Sequence, residues 1–439
     1  MLAILLPALS ACSFSRTPAR FPLSEGVKPW VREAQFLQSK QKENDGMETA
    51  SRLQRIPPYL FAQIDKIREE EEKKGKKIYS LAIGDPVEGT PPELIQVLAE
   101  AAKKPENHRY PPYAGTKAFR TAVSEWYKTR FNVQLDPDKE VLTLIGSKEG
   151  IAHIFLAFVG PGDVALIPDP GYPVYKTAVF LADGEPYHFP LYEKNGFLPE
   201  LGKIPDEIAR RAKILFLGYP NNPTAAIAPK EFLKEAVDFC KKYDILLGYD
   251  NAYSDVTFDG YVAPSILEIP GAKDIAIEFN SLSKPYNMTG WRLGYAVGNA
   301  KAIEALGTVK NNIDSSVFPA VQETGIYALK HGVPWIKKLN EIYVKRRDLL
   351  VGTLNRLGWK VEPPKGTFYL WVKVPKGYTS SDFVSFLLKE AGVLTAPGSG
   401  YGEYGEGYIR FSITVKDDVL NEACRRIEDA CKSKSLAPA

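Results

Sequence analysis

The sequence has few cysteines and histidines, and neither type is grouped. Its four cysteines form no CxxC pair, which indicates a reducing compartment rather than a disulfide framework. The four histidines are equally dispersed and lack the spacing of a zinc site, so we expect no metal. No apolar run approaches the roughly 18 residues that a membrane-spanning helix needs. We therefore expect no membrane association.

A strong excess of charge of either sign is also absent. The 439 residues include 56 Lys and Arg and 53 Asp and Glu, which leaves a net charge of +3. No basic tract with interleaved aromatic residues occurs, so nucleic acid is not an expected partner. With 44% hydrophobic and 25% charged residues, the composition is that of a globular protein long enough for two lobes with cores.

The first 46 residues differ from the rest of the chain. Residues 1–12 are apolar, and no acidic residue precedes Glu25. A secretory signal would need a positive segment before the apolar run, and none is present. A start placed upstream of Met47 and an organellar transit peptide are the remaining interpretations. We predict a disordered extension and a cytoplasmic protein, or a plastid or other organellar protein if residues 1–46 are a transit peptide.

From residue 140 onward, short apolar strands alternate with helices. This alternation predicts an α/β fold with a mostly parallel sheet covered by helices on both faces. After about residue 320 the pattern changes to that of a smaller α+β domain, in which the glycine-rich stretch 397–407 is the predicted mobile loop. The predicted strands are 141–145, 164–167, 213–218, 245–250, 275–281, 368–374 and 408–414. The predicted divisions are an N-terminal arm with part of the small domain (47–84), a large ligand-binding domain (85–319) and a C-terminal small domain (320–432).

The segment SLSKPYNMTGWRLGY (281–295) places a lysine just past the end of an apolar strand. A lone lysine is nearly always a solvated charge, but Ser281, Ser283 and Arg292 accompany this one. Two hydroxyls and a guanidinium can gather a phosphate. A lysine beside a bound phosphate is placed to form a Schiff base with an aldehyde of the same cofactor. Lys284 is therefore the predicted attachment point.

Three more polar side chains follow strands of the predicted sheet. Asp250 ends a strand, where a turn-capping aspartate is the simpler interpretation. It could instead pair with a protonated pyridine nitrogen and make a cofactor ring an electron sink. Tyr253 and Asn222 could hydrogen-bond the phenolic oxygen of that ring from two sides. Ligands of open α/β sheets bind outside the carboxyl ends of the strands, so these positions agree with one another.

The segment IGSKEGIAH (145–153) has the pattern of a strand, a glycine and a helix start. Backbone N–H groups at a helix N-terminus bind phosphate, which makes Ser147 and Lys148 candidates beside Gly146. A plain strand-to-helix connection would have the same pattern. Tyr172 follows the next strand and could stack on the cofactor ring or be a core tyrosine. The features are weak singly, but their ordered placement at strand ends is a strong joint signal.

This series resembles the fold-type I pyridoxal 5′-phosphate enzymes, specifically the class I and II aminotransferases. The likeness runs from about residue 50 to 432 and is carried by RYPPYAG, YPNNPTA, YDNAYSD, SLSKPYNMTGWRLG and YIRFSIT. It implies that Lys284 is the Schiff-base lysine and proton shuttle, and that Ser281 and Arg292 hold the phosphate. Arg410 would grip the substrate α-carboxylate. Tyr110 would reach the phosphate of the neighbouring subunit, in a homodimer with shared active sites.

Within the family, the likeness is greatest to members that transfer an amino group between LL-diaminopimelate and 2-oxoglutarate in lysine biosynthesis. IPPYLF (56–61), LAIGDP (81–86), HRYPPYAG, LTLIGSKEGIAH and IPDPGYPVY carry this likeness. The substrate-side residues that it implies are Tyr59, Gly84, Lys148, Tyr172, Asn222 and Arg410. Two positions depart from the usual motifs, since NPTG is NPTA at Ala225 and SKTYN is SKPYN at Pro285.

Other activities fit the same motifs. An aspartate, alanine or aromatic aminotransferase differs only in the substrate pocket, which the sequence does not display. A C–S lyase would use the same cofactor, although Arg410 and the GSKEG segment favour amino transfer. A non-catalytic ligand sensor would need a DNA-binding domain, and the 46 leading residues are too few to supply one.

Overall fold

The computed structural model describes residues 47–434 and 436. A π-helical turn, Leu387–Ala391, extends the twelfth helix. The described helices in chain order are α1 (Ser51–Gln54), α2 (Leu60–Lys73), α3 (Pro92–Ala101), α4 (Lys117–Phe131), α5 (Ser147–Phe158), α6 (Pro173–Leu181), α7 (Asp206–Arg211), α8 (Lys230–Tyr243), α9 (Ala300–Asn311), α10 (Pro319–His331), α11 (Val333–Arg356), α12 (Ser380–Phe386) and α13 (Asp417–Ser433).

The strands are distributed over three sheets. Of the segments predicted as strands, most match the structure to within a residue or two at each end. The described strands in chain order are β1 (Tyr79–Ser80), β2 (Val141–Leu144), β3 (Val164–Asp169), β4 (Glu185–Pro190), β5 (Ala212–Leu217), β6 (Leu246–Asp250), β7 (Ala276–Ser281), β8 (Gly294–Gly298), β9 (Tyr369–Lys373), β10 (Val393–Leu394), β11 (Ala396–Pro397) and β12 (Tyr408–Ser412).

The large sheet has seven strands in the order β2-β8-β7-β6-β5-β3-β4. Strands β4, β3, β5, β6 and β7 run parallel to one another, and β8 runs antiparallel to both β2 and β7. The predicted fold class, a mostly parallel sheet covered by helices, is confirmed. Parallel strands need crossover connections, and those connections place helices on both faces.

Strand β5 shows how the two faces are filled. Its side chains alternate between the faces because the strand has a period of two residues. Leu215 and Leu217 belong to the core beneath α4 and α8, while Ile214 and Phe216 belong to the core that includes α5 and α6. With both faces covered, the sheet interior excludes water, and polar side chains can reach solvent or ligand only at the strand ends.

A third core joins the two smaller sheets. β9 pairs antiparallel with β12, β12 pairs with β11, and β1 pairs parallel with β10. The core draws on α2 and β1 as well as on α11, α12 and α13. The sequence assigned residues from 320 onward to the small domain, but Val321 and Ala328 on helix α10 belong to the core of the large sheet. The other predicted domain boundaries stay a prediction.

In the part of the chain that the structure describes, no helix is long and apolar enough to cross a membrane. The disordered extension predicted for residues 1–46 lies outside the described residues.

Candidate active site

The polar side chains singled out in the sequence lie at one edge of the large sheet. Asp250 is the last residue of β6, Ser281 is the last residue of β7, and Asn222 follows β5. Tyr172 follows β3 and precedes the first residue of α6. Because β3, β5, β6 and β7 are parallel, their carboxyl ends meet at this edge.

Lys284 follows β7 and is partly buried. Its Nζ donates to the carbonyl oxygen of Gly84 at 3.4 Å and lies 5.6 Å from the centre of the Phe368 ring. Burial lowers the pKa of Lys284. Tyr369 and Asp85 oppose this effect, and the guanidinium groups of Arg292 and Arg410 make smaller contributions in the lowering direction. A lysine that readily gives up its proton is suited to nucleophilic and proton-transfer chemistry.

The Asp250 carboxylate is close enough to Lys284 to interact with its charge, and it accepts few hydrogen bonds. Its Oδ2 accepts from the Tyr175 hydroxyl at 2.9 Å, and its Oδ1 accepts from the Ala252 N–H at 3.4 Å. Burial raises the pKa of Asp250 to about 6, although these two hydrogen bonds and Lys284 oppose the rise. A buried carboxylate with few donors is stabilised when a ligand places a positive charge beside it. Tyr175 carried no signal in the sequence.

The turn between β2 and α5 and the Arg292 guanidinium line a concavity whose donors are of the kind that can bind an anion. Gly146 has φ 74°, and a Cβ atom there would overlap the guanidinium of Arg292. That guanidinium donates to Thr289 O at 2.8 Å and to Ile145 O at 3.4 Å, and the Arg292 side chain is exposed. Ser147 begins α5, so the first N–H groups of a 12-residue helix point into this space.

Two serines close the other side of this concavity. Ser281 and Ser283 are both buried, and the Ser281 Oγ accepts from the Ser283 N–H at 3.1 Å. Hydroxyls at this position can add hydrogen bonds to an oxyanion, which is the role that the sequence analysis predicts for them.

A buried ion cluster supports the same turn from beneath. Lys310 is fully buried on α9, and its Nζ contacts Glu149 at 3.1 Å and Asp314 at 2.5 Å. The same Glu149 oxygen accepts from the Ile145 N–H at 2.9 Å. Glu149, His153 and Asp314 are close enough together to hold a metal ion, but the Lys310 ammonium already pairs with both carboxylates.

Arg410 on β12 is fully buried at the opposite end of the site. Its Nη1 donates to the Asn222 side-chain oxygen at 2.7 Å and its Nη2 to the Ala82 carbonyl at 2.7 Å. The rings of Tyr369 and Tyr401 lie 3.9 Å and 5.0 Å from its Cζ. The Asn222 side-chain oxygen thus accepts from Arg410, whereas the predicted contact with a cofactor oxygen would use the NH2 group of the same amide and stays a prediction.

Tyr253 is buried next to a tyrosine that the sequence analysis missed. Its hydroxyl donates to the hydroxyl of Tyr369 at 3.2 Å. Tyr369 also faces Gly84, where a Cβ atom would overlap the phenol. Gly84 therefore contributes a carbonyl to Lys284 and space to Tyr369.

Three predicted residues remain: Lys148, Tyr172 and Tyr110. Lys148 is exposed; its Nζ lies 3.2 Å from the Tyr59 hydroxyl and 4.7 Å from the centre of that ring. Tyr172 meets Tyr175 edge to face at 5.8 Å, and burial raises its pKa well above the usual range. Tyr110 is 89% exposed and makes no hydrogen bond or ion pair with the described residues of this chain.

A family model described as aminotransferase class I and II matches residues 76–427. The chain belongs to this family. It is an aminotransferase, as the sequence resemblance predicted, and the family as a whole uses pyridoxal 5′-phosphate.

Individual proteins of the family are closely similar to this aminotransferase. One named LL-diaminopimelate aminotransferase, from Halothermothrix orenii, is 52% identical over 384 residues, which are 88% of this chain and 99% of the relative. A second with that name, from Moorella thermoacetica, is 53% identical over 381 residues, 87% of this chain and 98% of its own. A solved structure of substrate-bound BacF from Bacillus subtilis has a TM-score of 0.85 at 36% identity and covers 89% of this chain and 98% of that one.

The two departures from the family motifs lie near the site. Ala225 adopts φ 58°, the left-handed region that favours glycine, and the side chain of Asn221 holds the turn by accepting from the Thr224 N–H at 3.1 Å and its hydroxyl at 2.7 Å. Pro285 is buried directly after Lys284. Neither substitution removes a group that the site uses.

Proposed function

We propose that this aminotransferase uses pyridoxal 5′-phosphate attached to Lys284 to move an amino group between LL-diaminopimelate and 2-oxoglutarate, a step of lysine biosynthesis. The observation that carries the substrate assignment is the identity of about one half, over nearly the whole length, to relatives that bear this name. The site geometry supports the cofactor and the class of reaction independently.

The residues present fit the cofactor at three points. The concavity of Gly146, Ser147 and Arg292 suits the phosphate, because it offers helix N–H groups and an exposed guanidinium. Asp250, whose burial raises its pKa, suits a protonated pyridine nitrogen. Lys284 suits the aldehyde. When bound, the cofactor supplies an electron sink for the negative charge that develops at the substrate Cα.

Lys284 would also move the proton of the reaction. Its lowered pKa would leave the Lys284 amine able to accept a proton from the substrate Cα. The Gly84 carbonyl, at 3.4 Å from Nζ, keeps the amine inside the cavity. Asp250 would hold its negative charge beside the ring, which lowers the barrier without transferring a proton itself.

Arg410 would bind the substrate α-carboxylate. Its guanidinium is held by Asn222 and the Ala82 carbonyl and lies between two aromatic rings, so its plane is defined before the substrate arrives. A fixed fork of donors recognises a carboxylate with two hydrogen bonds. This arrangement favours α-amino acids over amines that lack the carboxylate.

The substrate LL-diaminopimelate has an amino acid group at each end, so a second polar region is required. Lys148 and Tyr59, joined by a contact of 3.2 Å at the rim, are the proposed groups for the distal end. A site that leaves such polar groups unpaired discriminates against shorter substrates.

The proposed homodimer would supply the residue that this chain leaves outside its own site. Tyr110 is exposed, and its hydroxyl would reach the phosphate in the neighbouring subunit. The similarity to bacterial relatives and the scattered cysteines support a cytoplasmic location.

The experiment that tests this function is a comparison of amino donors. Purified enzyme with 2-oxoglutarate is assayed with LL-diaminopimelate, aspartate, alanine and tyrosine at one pH, and kcat/KM is measured for each donor. We expect LL-diaminopimelate to exceed the others by at least about 100-fold, because only this donor has a distal amino acid group that can bind Lys148 and Tyr59. If aspartate or alanine exceeds it by tenfold, the chain is an aminotransferase of another specificity.

A further inference from the structure

Tyr369, on β9, lies at the centre of the candidate site although no sequence motif marks it. Its side chain is 4% exposed. Its hydroxyl accepts from Tyr253 at 3.2 Å, while the centre of its ring lies 3.9 Å from the Cζ of Arg410. One side chain therefore contacts both the proposed cofactor ligand and the proposed carboxylate ligand.

Tyr369 can reach this position only because residue 84 is a glycine. A Cβ atom on Gly84 would overlap the hydroxyl and the ring carbons of Tyr369. The carbonyl of the same glycine accepts from Lys284. A larger residue at position 84 would displace the Tyr369 phenol from the space that Lys284 faces. The position of the Tyr369 phenol therefore depends on glycine at residue 84.

The ring of Tyr369 constrains Arg410. The Arg410 guanidinium is anchored at both Nη atoms, and the ring lies against it at a distance typical of a cation–π contact. Such contacts are stronger when the cation is shielded from water, and Arg410 is fully buried. The ring therefore restricts rotation of the guanidinium plane that a carboxylate must match.

The hydroxyl of Tyr369 constrains Tyr253. Tyr253 has one hydroxyl proton, and in this structure it is donated to Tyr369. That proton becomes available to the phenolic oxygen of a bound cofactor if Tyr369 reverses the hydrogen bond and donates its own proton to Tyr253. A hydroxyl that accepts a hydrogen bond is also a stronger donor.

We infer that Tyr369 is a positioning residue with two separable parts. Its ring orients Arg410 for the substrate carboxylate, and its hydroxyl directs the Tyr253 proton toward the cofactor. The inference rests on the proposed function, since it requires a cofactor beside Tyr253 and an α-carboxylate at Arg410.

The first test is the hydroxyl. In Tyr369→Phe, the pH midpoint of the visible absorbance of the bound cofactor should rise, because Tyr253 becomes a weaker donor to the anionic phenolic oxygen. We expect kcat to fall roughly fivefold, the effect of one neutral hydrogen bond, with KM for the amino donor within twofold. Tyr343→Phe is the matched control, because its buried hydroxyl has no hydrogen-bond partner among the described residues.

The second test is the ring. Tyr369→Leu should show the same rise in the absorbance midpoint as Tyr369→Phe and, in addition, a KM roughly tenfold higher, the effect of a buried cation–π contact. The dissociation constant of pyridoxal 5′-phosphate from each variant, measured by titration of the apoprotein, should stay within threefold of wild type. If Tyr369→Leu does not fold, the absorbance midpoint of Tyr369→Phe still decides the role of the hydroxyl.

The inference is overturned if Tyr369→Phe leaves the midpoint unchanged, or if Tyr343→Phe moves it as far. Equal KM values in the Phe and Leu variants would refute the role of the ring. The wild-type enzyme is measured first with the donor that it uses best. A wild type that binds no cofactor would overturn the proposed function as well, whereas one that prefers another α-amino acid would change the substrate and leave this test intact.

Discussion

The two ends of the candidate site are built in different ways. At the phosphate end, Gly146 and Ser147 lie on one turn, and Ser281 and Arg292 lie on the segment around Lys284; the Arg292 side chain is exposed. At the carboxylate end, Arg410 is fully buried and is held by Asn222, 188 positions away, and by Ala82, 328 positions away. The first end is assembled from two short motifs that folding brings together, whereas the second depends on single residues from distant parts of the chain.

The difference in burial between Arg292 and Arg410 indicates how each arginine would act. An exposed guanidinium is well hydrated, so it adds charge and hydrogen bonds to an anion that the helix N-terminus already attracts. A buried guanidinium has lost its water and must be held by other acceptors and rings, so it can discriminate by geometry. We therefore expect the phosphate end to control retention of the cofactor and the carboxylate end to control choice of substrate.

The largest effect on kcat is expected at Lys284, which serves both ends of the site. Lys284→Ala removes the amine that both attaches the cofactor and moves the proton, so kcat should fall by at least about 1,000-fold. Lys301→Ala, on the exposed side of α9, is the control and should retain full activity. A Lys284→Ala enzyme with near wild-type turnover would show that the central assignment is wrong.

Asp250→Asn should lower kcat by about 100- to 1,000-fold while the cofactor still binds, because the amide cannot keep the pyridine nitrogen protonated. The measurement is steady-state turnover alongside the absorbance of the bound cofactor. Retention of the wild-type rate would exclude Asp250 as the charge partner.

The same variant should change the pH dependence of stability in the apoprotein. The folded-state pKa of Asp250, about 6, lies above the ordinary 3.8, so the folded chain holds this proton more tightly than the unfolded chain. The resulting stabilisation is present below about pH 4 and is lost as the pH rises through 6. The free energy of unfolding of Asp250→Asn, measured with urea, should rise relative to wild type by up to about 3 kcal/mol between pH 4 and 7. Asp238→Asn, on the surface of α8, is the control and should show no such rise relative to wild type.

A paired substitution separates the two ends directly. Arg410→Lys should raise KM for the amino donor by roughly 10- to 100-fold, because a lysine lacks the planar fork, and should leave cofactor affinity within threefold. Arg292→Lys should weaken cofactor affinity by roughly tenfold and leave KM within threefold. If both variants change both quantities alike, the two ends are not independent.

The phosphate end should also depend on a second subunit. Tyr110→Phe should weaken cofactor retention by roughly fivefold without unfolding the chain, because one hydroxyl is lost. Mixing it with inactive Lys284→Ala protein should produce heterodimers with one intact site, since Lys284 comes from one chain and Tyr110 from the other. A stable, fully active monomer in sedimentation experiments would refute the shared site.

The smallest effect is expected at Ala225. Its left-handed conformation costs about 1 kcal/mol, which glycine would not incur, but glycine also gains entropy in the unfolded chain. Ala225→Gly should therefore change the free energy of unfolding by less than about 1 kcal/mol and leave kcat/KM within twofold. A larger change in kcat/KM would show that this departure from the family motif affects the substrate side.

Several parts of the fold were predictable because the signal was local. Strands β3, β5, β6 and β7 are short, largely apolar runs that end in a polar residue or, for β5, just before a glycine, and this pattern places them correctly. Strands β4 and β8 were missed. The segment EPYHFP of β4 is mostly half-buried at the sheet edge, and β8 directly follows the glycine- and arginine-containing turn after Lys284. Neither strand has the continuous apolar run that marks a central parallel strand.

The glycine-rich stretch 397–407 shows where composition misleads. We expected a mobile loop, because glycine permits many conformations. Instead, Asp169 accepts from the N–H groups of Glu403 and Tyr404 at 3.0 Å and 2.9 Å. A Cβ atom on Gly402 would overlap the Asp169 carboxylate. The glycines at this point allow close packing.

By itself, the sequence determined the class of fold and the order of the polar residues at the strand ends. It also singled out Lys284 as the candidate for cofactor attachment. These signals are readable because each lies within a short segment. Only the tertiary structure decided that Asn222 holds Arg410, that Tyr175 holds Asp250, and that Tyr369 lies between Arg410 and Tyr253. The physical reason is that each of these contacts joins distant parts of the chain, at separations of 188, 75 and 116 positions for the three hydrogen bonds involved. No local pattern records such a pair, since each side chain alone would serve equally well in an ordinary core.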